Sequence, residues 1–147
     1  MNIKKLAIAS DHAGFQLKGK LKEELTKKGI EVIDFGPNSE ESCDYADFAH
    51  PLALAIEKNK ADLGILICGS GNGIAITANK HQQIRAAICW EEELAKLARQ
   101  HNDANILVLP ARFITENTAI KCMESFINED FEGGRHLRRI EKIPVNK

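Results

Sequence analysis

Short apolar runs alternate with helix-forming stretches along the whole chain, and this alternation limits the fold more than any other feature. Leu6–Ser10 reads as a strand, an amphipathic stretch from Phe15 to Lys28 closed by Gly29 as a helix, and Glu31–Asp34 as the next strand. A polar connection through Gly36-Pro37-Asn38-Ser39 leads to a helix over Ala46–Asn59 and then to the continuous apolar run Leu63–Cys68. The theme repeats with a helix at Ile74–Lys80, a strand at Arg85–Cys89, a helix at Glu91–Arg99, a strand at Ile106–Leu109 and a helix at Thr115–Ile127. Parallel strands need a crossover between them, usually a helix. The pattern therefore predicts a three-layer, doubly wound, five-stranded parallel sheet of the α/β, Rossmann-like class with a C-terminal helical segment. At 147 residues, 1–147 is expected to be a single domain, with 133–147 as an arm.

In sheets of this kind ligands bind beyond the carboxyl ends of the strands. The third strand ends there on Cys68, followed by Gly69-Ser70-Gly71-Asn72-Gly73 and the start of a helix. Glycines let backbone N–H groups approach a ligand, and a helix start favours negative oxygens and thiolates. The turn is not a dinucleotide fingerprint, because Ile74 stands where G-x-G-x-x-G needs its third glycine. It is not a P-loop either, because Lys80 is too far away. What remains is a cradle for a small anion, or a bare βα connection.

Asp11 and His12 follow the first strand and Arg112 the fifth, while His101-Asn102-Asp103 lies between the fourth helix and fifth strand. Read singly, Asp11 is also an ordinary helix cap, His12 a solvated loop histidine, and His101-Asn102-Asp103 a polar helix end. Expected clustering on one rim favours the functional readings. Arg135 and Arg139, after Gly133-Gly134, are spaced to share one helix face, where two guanidinium forks can hold a phosphate; the alternative is a solvated basic tail.

Twenty basic against 21 acidic residues leave a net charge of −1, so any anion site must be local, and neither nucleic acid nor an anionic membrane is an expected partner. Cys43, Cys68, Cys89 and Cys122 are widely spaced and no signal peptide or long apolar span is present, which predicts a reduced, cytoplasmic protein. Without C-x-x-C, H-E-x-x-H or clustered His and Cys, no metal or other cofactor is expected. Cys89 and Cys122 read as packed small hydrophobes, His50 and His81 as structural or surface residues, and a lone Trp90 gives no platform for bases.

Ser10-Asp11-His12-Ala13-Gly14, Asp44-Tyr45, Ile67 to Gly73, Arg99-Gln100-His101-Asn102-Asp103 and Gly133-Gly134-Arg135-His136 occur in one order. Together, over nearly the full length, they resemble the ribose-5-phosphate isomerase B and galactose-6-phosphate isomerase family. The resemblance implies aldose–ketose isomerisation of a phosphorylated sugar through an enediolate. Cys68 matches the base position; members that lack the cysteine carry a glutamate just after the third glycine, where this chain has Ile74. His101 resembles the acid that opens the furanose ring. Asp11, His12 and Asn102 resemble contacts to sugar hydroxyls or phosphate, and Gly69, Ser70, Gly71, Asn72 and Gly73 the hole for the developing oxyanion. Arg112, Arg135 and Arg139 resemble phosphate ligands. The resemblance further implies a homodimer or homotetramer with sites shared between subunits. Because one chain keeps the cysteine, His101 and the arginines, ribose 5-phosphate is the expected substrate, with allose or galactose 6-phosphate as the alternative. A non-catalytic phosphometabolite binder would need the cradle but neither the thiol nor the acid. A thiol redox protein would need a resolving cysteine, and only Cys89, if folded close to Cys68, offers one.

Overall fold

The computed structural model describes residues 2–145. In chain order it contains β1 (Lys5–Ser10), a short 3-10 turn (His12–Gly14), α1 (Phe15–Lys27), β2 (Glu31–Asp34), α2 (Ala46–Glu57), β3 (Leu63–Cys68), α3 (Asn72–Ala78) and β4 (Ala86–Ile88). It continues with α4 (Glu92–Asn102), β5 (Ile106–Pro110), α5 (Glu116–Asn128) and α6 (Arg135–Ile140). All strand pairs are parallel and the order is β2-β1-β3-β5-β4. The expected α/β architecture is the one observed.

The period of two along each strand builds the three layers. Leu6, Ile8, Ile65, Ile67, Leu107 and Leu109 face α1, α4 and α5, where Leu21, Leu25, Cys122, Met123 and Phe126 are buried against them. The intervening Ala7, Ala9, Leu66, Cys68, Ile106 and Val108 face α2 and α3, against Leu52, Ile56, Ile74 and Ala78. Complete burial of each larger side chain contributes about 1.5–3 kcal/mol. On the second face small residues let α2 come close: a Cβ on Gly64 would stand 2.8 Å from Leu52 Cδ2. Cys68 therefore points to the α2/α3 side of the sheet, whereas Cys89 belongs to the opposite core.

One buried charge ties α1 to the edge strand. Lys18, 2% exposed, donates from Nζ to Asp34 Oδ1 at 2.9 Å and to the Pro37 carbonyl at 2.6 Å. Asp34 also accepts from Lys22 and from the Gly36 amide. Burial alone would raise the Asp34 pKa, but the bonds from Lys22, Gly36 and Lys18 outweigh it and hold the carboxyl below its ordinary value.

Two boundaries differ from the sequence expectation in ways that matter for the site. α3 starts at Asn72 rather than Ile74, because Gly71 at φ +81° turns the chain and its carbonyl already accepts from Ala75 N–H. α4 runs on to Asn102 rather than stopping at Arg99. Buried Arg99 donates from Nη1 to Asp103 Oδ1 and the Ala104 carbonyl, holding the helix end, and Asp103 at φ +45° closes it. Among the described residues no helix is long and apolar enough to cross a membrane. The expected 133–147 arm contains α6, which packs on α4; its last two residues lie outside the described range.

Candidate active site

β1 and β3 are neighbours, but β1 feeds α1 on one face of the sheet and β3 feeds α3 on the other. The chain reverses its winding between them, so a crevice opens beyond their carboxyl ends. Asp11, 8% exposed, is fixed there: its N–H donates to Ile67 O at 3.0 Å and its Oδ1 accepts from Gly14 N–H at 3.1 Å. Gly14 presses on β3 so closely that a Cβ would meet Ile67 O at 2.7 Å. His12 follows, and its Nδ1 accepts from Cys43 N–H at 3.3 Å with Cys43 Sγ at 4.0 Å. This bond leaves Nε2 as the protonated nitrogen of a neutral His12.

Across the crevice Cys68, 4% exposed, ends β3, and its carbonyl accepts from Ala111 N–H at 2.8 Å. Arg112 N–H donates to Gly69 O, and the Arg112 side chain lies over Gly69, where a Cβ would stand 3.2 Å from Nη1. Ser70 Oγ accepts from Asn72 N–H at 3.2 Å, stiffening the turn. The Tyr45 ring covers Gly73 so closely that a Cβ there would collide with Tyr45 Cζ. The tight Gly-rich turn thus has an arginine on one flank and an aromatic hydroxyl on the other.

His101 and Asn102 are elsewhere, which corrects the expectation of one common rim. Asn102 O accepts from Arg85 Nε at 2.9 Å, and Arg85 O accepts from Asn105 N–H; Arg85 directly precedes β4, and Asn105 directly precedes β5. They therefore sit at the amino edge of the sheet. β5 register-pairs Pro110 with Cys68, so the length of a strand, roughly 16 Å, separates the two groups. The physical reason is that α4 runs antiparallel to the strands and brings its C-terminal residues back to their starts. Arg135 and Arg139 are exposed on α6 beside α4, in this second group. One chain thus holds two partial sets: Asp11, His12, Cys68, the 69–73 turn and Arg112 in one, and His101, Asn102, Arg135 and Arg139 in the other.

Around His101 the structure adds residues that sequence reasoning did not single out. Its ring stacks on that of His136, centroids 4.3 Å apart and planes 12° apart. Glu132 Oε1 lies 3.9 Å from His101 Nε2 and 3.7 Å from His136 Nε2. Burial, followed by the charges of His101 and Arg135, pushes the His136 pKa below its ordinary value. Ligand atoms of His101, Glu132 and His136 lie within 4.8 Å of one another. Near-parallel stacked rings cannot aim both lone pairs at one ion, however, and the nearby arginine charge opposes a cation, so the trio fits a metal poorly. Tyr45 and His136 were visible only as members of the quoted segments; Cys43 and Glu132 carried no sequence signal.

All four cysteines are unpaired. Burial raises the Cys89 thiol to about 12 and the Cys122 thiol to about 11, as befits packed hydrophobes. With Cys89 on the other side of the sheet, Cys68 gains no resolving thiol from it. His50 and His81 pair with each other at 2.8 Å, with Glu57 at 3.6 Å from His81, along α2 and the end of α3.

Residues 6–143 match the family model described as Ribose/Galactose Isomerase. The ribose-5-phosphate isomerase B of Escherichia coli K12 is 44% identical over 141 residues, covering 96% of this chain and 95% of that one. The solved ribose 5-phosphate isomerase of Thermotoga maritima superposes with a TM-score of 0.95 at 52% identity, over 98% of this chain and 99% of that one. The ribose-5-phosphate isomerase B of Mycoplasma genitalium, solved with bound ribulose-5-phosphate, gives a TM-score of 0.91 at 48% identity, over 95% and 93% of the two chains.

Proposed function

The chain belongs to the ribose/galactose isomerase family and is an aldose–ketose isomerase, and from that premise we propose that it interconverts ribose 5-phosphate and ribulose 5-phosphate as a single-domain, cytoplasmic enzyme. The observation that carries the reading is the thiol of Cys68 at the head of a Gly-rich turn flanked by Arg112, in the crevice where the sheet reverses its winding. In this reading Cys68 removes the C2 proton of the open-chain aldose and returns it to C1. The negative charge that develops on O1 is met by amides of the turn 69–73, held ready before the reaction begins. Asp11 and His12 orient the sugar, and Arg112 takes phosphate oxygens with its fork. His101, Asn102, Arg135 and Arg139 act from a second copy of the chain, His101 giving a proton to the ring oxygen as the furanose opens. Support for a shared site comes from the strand length between the two residue sets and from exposed Trp90, Phe113, Ile76 and Leu54, apolar surface suited to a second copy. Four unpaired cysteines support a reducing compartment.

The test is turnover of ribose 5-phosphate by wild type and Cys68→Ala, beside allose and galactose 6-phosphates. Loss of a proton-transfer group is expected to lower kcat by about 10²–10⁴-fold while ligand binding survives. Turnover of a hexose phosphate alone would keep the mechanism and change the substrate. No turnover of any of the three by folded wild type would overturn the reading in favour of a binder.

A further inference from the structure

His101 is 39% exposed at the end of a helix, where an imidazole would ordinarily sample several rotamers. Two features restrict it. The face of its ring rests on His136, which is 6% exposed and comes from α6. The connector carrying Glu132 is pinned to the same helix turn, since Glu132 N–H donates to Gln100 O at 3.0 Å and Gln100 Nε2 donates to Glu129 Oε2 at 2.8 Å. His136 Nε2 is one of two buried side-chain polar atoms without a hydrogen-bond partner among the described residues. A buried nitrogen left unpaired is unfavourable, so no hydrogen bond from Nε2 accounts for the placement of this ring. What it offers is a flat face.

We propose that His136 and Glu132 position His101 for proton donation, His136 as the platform under its ring and Glu132 as the anion beside its Nε2. The proposal rests on reading His101 as the ring-opening acid. Glu132 at 3.9 Å is too far to clamp Nε2 in a hydrogen bond, and its carboxylate stands beside the ring as a negative charge. The other charges facing this corner are Arg135 and Arg139 of α6, Glu129 bonded to Gln100, and the Arg99–Asp103 pair at the end of α4 itself. Burial, followed by the charges of His101 and Arg135, lowers the His136 pKa, with Glu132 acting the other way, and the balance favours the neutral form of this ring. A neutral platform can lie against a charged ring without repelling it.

The experiment combines steady-state kinetics with imidazole NMR titration on the full chain carrying His136→Ala, His136→Phe or Glu132→Gln. His136→Ala is expected to lower kcat about tenfold with KM nearly unchanged, and His136→Phe, which restores a flat face, to recover most of that loss. In Glu132→Gln the His101 resonance should titrate at lower pH than in wild type, and the descending limb of the kcat profile should move with it. Folding of each variant is checked by circular dichroism. If His136→Ala does not fold, His136→Phe and Glu132→Gln still decide. A folded His136→Phe slower than wild type by tenfold or more would overturn the platform. An unmoved His101 titration in Glu132→Gln would overturn the role of the carboxylate. Wild type without sugar-phosphate turnover would overturn the isomerase reading on which the kinetic half stands, while the NMR titration still decides whether the pair tunes His101.

Discussion

At Gly71 the backbone stands at φ +81°, and a Cβ there would meet Ile88 and Val108 at 3.3 Å. Gly71→Ala is accordingly expected to cost about 1–2 kcal/mol, read as a lower urea midpoint with an unchanged slope. Arg112 makes a different demand. Arg112→Lys keeps the charge but loses the planar fork, so KM for a sugar phosphate should rise about tenfold with kcat little affected. An equal fall in kcat would mean that Arg112 acts in the transition state instead. Much at this scale was legible: Cys68 on three alternating glycines pointed to the turn, and Asp11 and His12 to the crevice. The reasons for Gly69 and Gly73 were not, because they lie in side chains far away in sequence, Arg112 and Tyr45, and only folding brings these into contact.

Among the elements, α1 and the β2 edge are joined through Lys18 and Asp34. Asp34→Asn leaves the nearly fully buried Lys18 ammonium without a counter-charge, held only by neutral groups such as the Pro37 carbonyl, at a cost of about 3 kcal/mol, the low end for a broken buried pair. The Asp34 carboxyl titrates below its ordinary value in the folded chain, so its stabilisation is complete above about pH 4 and lost as pH falls through the depressed pKa. Urea midpoints measured between neutral and acid pH should therefore fall less steeply in Asp34→Asn than in wild type. Element identity was readable from the apolar periods, and β2 and β3 match to the residue. The end of α4 was missed because Arg99, a charged residue that reads as a surface position, turns inward to carbonyls that only the folded helix end presents.

For the whole molecule, the separation of Cys68 from His101 by the length of a strand makes a complementation experiment decisive. Cys68→Ala and His101→Ala chains are each expected to be nearly inactive. Refolded together as dimers in equal amounts, they should regain about one quarter of wild-type activity, since half the dimers are mixed and each mixed dimer has one intact site. No recovery, with mixed dimers demonstrated, would place both residues' work within one chain. The sequence by itself determined the layered parallel sheet, the glycine turn after Cys68 and the family, because apolar period, turn chemistry and motif order are local properties of the chain. Only the tertiary structure decided which side of the sheet each group serves. Helices antiparallel to the strands return their ends to the opposite edge, so His101 left the rim that its neighbours in the motif order suggested. The same packing laid α6 on α4 and brought His136 and Glu132 to His101, contacts that no spacing along the chain encodes.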